Sequence, residues 1–255
     1  VKLSERFTPV DIREDEKALE EEGATSPSTS LVDRVMSEVT EHIRAHALSV
    51  GAPLPSEAEF AARAGVSRAV AREGFRGLAA LKLIDVGNGR RARVGAADES
   101  VISLLVDHAV HTKQINLQQI LDVRRSIELR TVVLATLRRT EREAAEISAL
   151  ADEMMRSFSR PEHIMELDIS FHALIAHASR NPLFALLIGS FRFVTRETFP
   201  IGWVSQPDDD GRRATVAGHS VIAAAIQGRR PLEAEKAMSN HFDIAIKALI
   251  NAGVT

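Results

Sequence analysis

Between Ser30 and Val94 the chain starts a helix three times and stops it three times, then turns into a hairpin, all within 65 residues. Ser30 is placed to cap a helix to about 47, with Leu31, Val35, Val39 and Ile43 four residues apart on one face. Gly51 and the Pro53/Pro55 pair break it. Ser56 then opens Ser-x-x-Glu with Glu59. In that capping box the hydroxyl and the carboxylate each satisfy an otherwise unbonded backbone N–H at the helix start. Gly65 stops this short helix, and Ser67 caps a third one running to about Leu81. Leu83–Val86 and Arg90–Val94 then flank Gly87-Asn88-Gly89. Asn-Gly between two strand-like runs predicts a hairpin, because the favoured two-residue turn needs positive φ at both central positions. Three helices and a small hairpin, with the tight turn Ala64-Gly65-Val66 before the third helix, are the order of a winged helix-turn-helix.

Such a unit lays its third helix in the DNA major groove, N-terminal end toward the bases. Here that end carries Arg68 and Arg72, one turn apart, with Arg76 one turn further. A guanidinium fork can grip a guanine edge or a phosphate through two hydrogen bonds. The Ser67 hydroxyl and the free amides beside it offer a phosphate site. Arg90, Arg91 and Arg93 on the hairpin can reach the minor groove or flanking phosphates. The charge distribution agrees. The chain has net charge −3, but residues 1–26 carry −4, residues 27–95 carry +3 and residues 96–255 carry −2. A basic helix inside an acidic protein points to a polyanion, although charge alone equally fits a solvated helix face.

The run GAPLPSEAEFAARAGVSRAVAREGFRGLAALKLIDVGNGRRARV, residues 51–94, resembles the DNA-binding domain of GntR-type transcription regulators. Leu54, Pro55, Ser56, Glu57, Phe60, Ala61, Gly65, Val66, Ser67, Arg68, Arg72, Glu73 and Leu78 fit that pattern in order and spacing. Two positions depart from it: Ala58 stands where the family usually has an Arg that touches DNA, and Ala69-Val70-Ala71 replaces the usual Thr-Pro-Val.

Residues 96–255 read as helices throughout, over 98–111, 116–139, 141–158, 161–179, 182–198, 209–227 and 231–252. Thr140-x-x-Glu143 and Ser159-x-x-Glu162 have the form of capping boxes, Asp208-Asp209-Asp210 places negative charge at a helix start, and Pro231 opens the last helix. The expected architecture is mainly α: an acidic arm (1–26) with a short helical piece near 14–22, a winged helix-turn-helix domain (27–95) and an all-α helical bundle (96–255). No window is apolar enough to span a membrane, the first 25 residues lack a secretory core, and there is no Cys for disulfides or thiolate sites. A cytoplasmic protein is the expectation.

Asp168 and His172 lie i, i+4 on one helix and share its face with Met165, Ile175 and Ala176. His219 falls on a stripe with Val216, Ile222 and Ile226, and His241 on one with Met238, Ala245 and Ala248. Each histidine taken singly reads as a core residue bonded to a carbonyl. Taken together with Asp168, which is costly to bury unpaired, they form an N/O donor set for a divalent metal. His42, His46, His108, His111, His163 and His177 have no such pairing and read as surface or packing residues. The region 100–250 resembles the FadR-type effector domain, the FCD domain, through Asp122-Val123-Arg124-Arg125-Ser126-Ile127-Glu128, Asp168-x-x-x-His172, Asn181-Pro182-Leu183, His219 and His241. That resemblance implies a metal on Asp168, His172, His219 and His241, zinc first with nickel or manganese as alternatives. It also implies an acid effector facing Arg124, with Arg125 the weaker choice, Trp203 as a wall residue, and a homodimer on an operator duplex. Arg124 alone reads equally well as a structural ion pair. The function expected is a metabolite-responsive regulator, a repressor released by a small carboxylate or sugar acid. Its rivals are a metal-dependent hydrolase using Glu162 or Glu166 as base, with the winged helix as an accessory, and a protein-binding adaptor.

Overall fold

The computed structural model describes residues 30–87 and 89–254. The expected arm, its helical piece and Asn88 lie outside the described residues. The chain divides between Ala96 and Ala97 into two compact units. No described helix is long and apolar enough to cross a membrane.

The first unit contains α1 (Leu31–Ala45), α2 (Glu57–Ala64), α3 (Arg68–Ala80), β1 (Ile84–Gly87) and β2 (Arg90–Val94). Each helix start carries its expected cap. Ser30 accepts from the Asp33 N–H, Ser67 from the Val70 N–H, and Ser56 forms the full box with Glu59. Gly65 ends α2 at φ +61°, a left-handed conformation that costs any residue with a Cβ. The strands pair antiparallel, Ile84 opposite Val94 and Asp85 opposite Arg93, with an irregularity between Asp85 and Gly87. Residues 51–54, expected only as a break, also bond to the hairpin: the Gly51 and Leu54 N–H groups donate to Val94 and Ala92 carbonyls, and Val94 donates back to Ala52. This covers the outer edge of β2 and ties the wing to the helices. Val35, Val39, Leu54, Phe60, Phe75, Leu78 and Ile84 close the core, each large side chain worth about 1.5–3 kcal/mol of burial.

The second unit is helical: α4 (Ser100–His111), α5 (Leu117–Arg138), α6 (Glu141–Arg156), α7 (Pro161–Ala178), α8 (Pro182–Ser190), α9 (Arg192–Ser205), α10 (Asp209–Gln227) and α11 (Pro231–Asn251). Helices α5, α6, α7, α10 and α11 surround one core built on Val132, Ile147, Met154, Phe171, Ile222 and Met238. Thr140 with Glu143, and Asn116 with Gln119, make capping boxes, and Asp208 caps α10. Ser159 does not cap α7. Pro161 occupies its first position with φ already set, so Arg160 becomes the flanking residue. The single helix expected over 182–198 is two. Its chain breaks at Phe191 (φ −91°, ψ 5°), whose ring is buried with Ile120, Leu121, Val194 and Leu249. Helix α9 then continues through Pro200 to Ser205, which carries Trp203 onto the bundle.

Gly74 sits where α3 crosses α1. A Cβ added there would stand 2.7 Å from Val35 Cγ1. Gly74→Ala should therefore destabilise the first unit by about 1–3 kcal/mol, the usual cost of overpacking a core. An unchanged urea midpoint would contradict this close crossing.

Candidate metal centre and nucleic-acid interface

The four candidate ligands come from three helices of the second unit. Helix α7 supplies Asp168 and His172, α10 supplies His219 and α11 supplies His241, and one donor atom from each lies within 4.8 Å of all the others. All four are buried, His241 retaining 9% exposure. The His219 and His241 rings are 4.5 Å apart and the His172 and His241 rings 5.3 Å. His219 Nε2 is 2.8 Å from Asp168 Oδ1. Its Nδ1 faces the Val216 carbonyl at 3.2 Å, an acceptor that would take the Nδ1 proton if Nε2 held a metal. The remaining six histidines fall outside this cluster.

Glu128, which sequence reasoning passed over as a site residue, organises the centre. It is 1% exposed. One carboxylate oxygen receives the His172 Nδ1–H; the other receives the Arg124 Nε–H at 2.6 Å. Arg124 also donates from Nη1 to Thr195 Oγ1 at 2.6 Å, and its guanidinium lies over the Phe242 ring. The i, i+4 spacing of Arg124 and Glu128 was the available signal. It reads as a surface ion pair until the fold turns that face inward. Holding Nδ1 on Glu128 leaves His172 Nε2 aimed into the cluster, where it has no hydrogen-bond partner. A buried nitrogen without a partner is costly, and a cation held by the cluster would satisfy it. A carboxylate behind a ligating imidazole is the usual support of a metal site.

The electrostatics favour the same use. Burial opposes charge on Asp168, but His172 and His219 together outweigh it and hold this carboxyl well below the usual carboxylate range, hence ionised. Burial likewise opposes charge on Glu128, and His172 and Arg124 overcome it. Burial, reinforced by His219 and His172, keeps His241 well below an ordinary imidazole, hence neutral with a lone pair to give. Burial lowers His172 too, but Glu128 and Asp168 on either side raise it to about 9. A metal held at Nε2 would take the place of that proton. The site thus has three imidazoles and one carboxylate, a donor set that fits zinc, nickel or manganese.

A cavity of about 90 Å³ opens onto Arg124, Asp168, His219 and His241. Thr195, Phe199, Trp203, Gln206 and Phe242 also line it, so Trp203 is a wall residue. Arg125 faces away from it, bonding Ser239 Oγ at 2.7 Å and Asp243 at 3.0 Å. Neither Glu162 nor Glu166 lines the cavity, and Glu166 is paired with Arg196 at 3.1 Å. The hydrolase reading loses both of its candidate bases.

In the first unit, Arg68 and Arg72 of α3 meet Arg90 and Arg91 of the hairpin around one groove of about 500 Å³, with Ser56, Glu57 and Ala58 on its other wall. Arg72 lies 3.5 Å from Glu57, and Arg90 lies 3.0 Å from Asp85. All four partners are solvent-exposed, and such pairs exchange readily for a phosphate. Ser67 stands at the α3 start, its Oγ accepting from the Val70 N–H. Two expectations shift. Arg76 does not line the groove and bonds Glu73 at 2.8 Å, and Arg93 donates to the Gly51 carbonyl at 2.7 Å, holding the edge strand in place. Ala58 leaves its part of the groove wall without a cation.

Residues 31–94 match the family described as bacterial regulatory proteins, gntR family, and residues 119–244 match the FCD domain. The galactonate operon transcriptional repressor of Escherichia coli strain K12 is 26% identical over 211 residues, covering 80% of this chain and 90% of the relative. The Glc operon transcriptional activator of the same strain is 30% identical over 149 residues, covering 56% and 58% respectively. Among solved structures, the Streptococcus agalactiae GntR has the same fold, with TM-score 0.57 at 21% identity over 83% of this chain and 97% of that one.

Glu128→Gln keeps the side-chain shape but weakens the hold on the His172 Nδ1–H. It should lower zinc affinity roughly 10- to 100-fold, the usual effect of removing such a support, in a competition titration against a chromophoric chelator. Wild-type affinity in a folded variant would remove Glu128 from the centre.

Proposed function

The chain belongs to the GntR family of bacterial regulators, in the FadR-type branch with an FCD domain, and is a DNA-binding transcription regulator rather than an enzyme; on that premise we propose that it is a repressor released from its operator when a small organic acid binds beside a metal in the second unit. The observation that carries this reading is the pairing of two sites of different kind in one chain, a cationic groove in one unit and a buried Asp/His/Arg cavity in the other. Repression follows the galactonate operon repressor, which is matched over 90% of its length, against 58% for the Glc operon activator.

On the DNA side, Arg68 and Arg72 provide the guanidinium forks that read base edges or clamp phosphates, and Ser67 with the α3 amides holds a phosphate. Arg90 and Arg91 reach the flanking backbone from the wing. Arg76 is left a secondary contact, because it lies outside the groove. Two chains acting as a homodimer in the cytoplasm would read half-sites roughly one helical turn apart.

On the effector side, Asp168, His172, His219 and His241 hold a divalent ion, zinc before nickel or manganese. When bound, the ion supplies fixed positive charge that anchors an anion. Arg124 adds the second anchor: Nε and Nη1 are committed to Glu128 and Thr195, which fixes the guanidinium plane and leaves Nη2 for an acid. An acid that binds the DNA-free arrangement better shifts the population toward it. A coupling of about 1–3 kcal/mol changes operator affinity roughly 5- to 150-fold.

With a duplex selected by the wild-type protein from a random pool, Arg68→Ala and Arg72→Ala should each cost about 1–3 kcal/mol of specific binding in fluorescence-anisotropy titrations. Arg76→Ala should stay close to wild type. Unchanged affinity in the first two variants would refute the recognition-helix assignment.

A further inference from the structure

The cavity beside the metal cluster differs sharply between its two ends. Toward the ligands it offers Arg124, Asp168, His219 and His241. The rest of its lining is largely apolar, with Leu121, Phe199, Trp203, Ala245 and Leu249. The Phe199 and Trp203 rings are stacked, with centroids 5.7 Å apart and planes 18° from parallel, and make a continuous apolar wall.

The hydroxyl protons of the two threonines here are already engaged. The Thr198 hydroxyl donates to the Val194 carbonyl at 2.7 Å. The Thr215 hydroxyl donates to the Gly211 carbonyl at 3.1 Å, and Gln206 Nε2 donates to that same hydroxyl at 3.3 Å. A row of ligand hydroxyls placed here would lose water without gaining donors of matching number.

Charge gives a second constraint. With a divalent ion present, Arg124, Asp168 and Glu128 leave one excess positive charge around neutral imidazoles, which one carboxylate neutralises.

We infer that this cavity selects a short monocarboxylate with an alkyl tail, its carboxylate turned to Arg124 and the metal cluster and its tail against Phe199 and Trp203, and that it rejects polyhydroxylated sugar acids. This rests on the acid-sensing reading above and narrows it to one ligand class. The class departs from what the name of the galactonate operon repressor would suggest, although that protein is a relative along most of the chain.

The test is calorimetric titration of the full-length chain loaded with zinc, metal content verified by elemental analysis, using isovalerate, 2-hydroxyisovalerate, gluconate and galactonate. At least one of the two branched acids should bind tenfold or more tighter than either aldonate. Ala245→Leu, which fills the tail end, should weaken that acid at least tenfold while zinc content stays unchanged. Phe199→Ala, on a different helix, should weaken it as well and guards against a folding failure in the first variant. Tighter binding of gluconate or galactonate would overturn the alkyl-tail inference and leave acid sensing standing. Zinc-loaded protein that binds none of the four would overturn both.

Discussion

The second unit is organised by the burial of one ionised carboxylate. Asp168 is 7% exposed within a bundle whose neighbouring residues are aliphatic and aromatic. A buried anion without compensation costs several kcal/mol, so cationic or donor groups must converge on it. His172 answers from the next turn of the same helix and His219 from α10, while Arg124 and Glu128 of α5 add a second buried pair. Three helices are thereby tied to one point. The requirement that holds these charges in the bundle also produces a set of donors aimed at a common centre.

The first unit is governed by backbone satisfaction rather than buried charge. Its helices are short, so each depends on its cap and on close crossing. Serine hydroxyls open all three, Gly65 supplies the left-handed stop, and Gly74 lets α3 approach Val35. The edge formed by residues 51–54 then fixes the hairpin, partly through Arg93. These constraints leave the α3 start and the wing tip as the faces where arginines project into solvent. A regulator needs that arrangement: recognition residues free to meet a polyanion, on a scaffold that does not use them for its own stability.

Local features were legible in the sequence because their physics is local. The caps at Ser30, Ser56, Ser67, Thr140 and Asp208 each involve residues within three positions, and the inward stripes of His172, His219 and His241 follow from helical periodicity. The features that escaped depend on partners distant in the chain. Glu128 matters because His172, 44 residues away, lies against it. The break at Phe191 follows from where its ring finds a core. Arg93 is a structural tie because the chain at Gly51 returns beside it, and Arg76 pairs with Glu73 away from the residues that line the groove. Ser159 failed as a cap for a local reason that two signals contested, and the preset φ of Pro161 prevailed.

X-ray absorption spectroscopy on the purified full-length chain bears most directly on the Asp168 cluster as a metal centre. The account predicts about one tightly held divalent ion per chain, with imidazole nitrogens dominating its first shell and a carboxylate oxygen completing it. A chain that keeps no ion after exposure to zinc, nickel and manganese, or one whose ion sees only water and carboxylate oxygens, would contradict it.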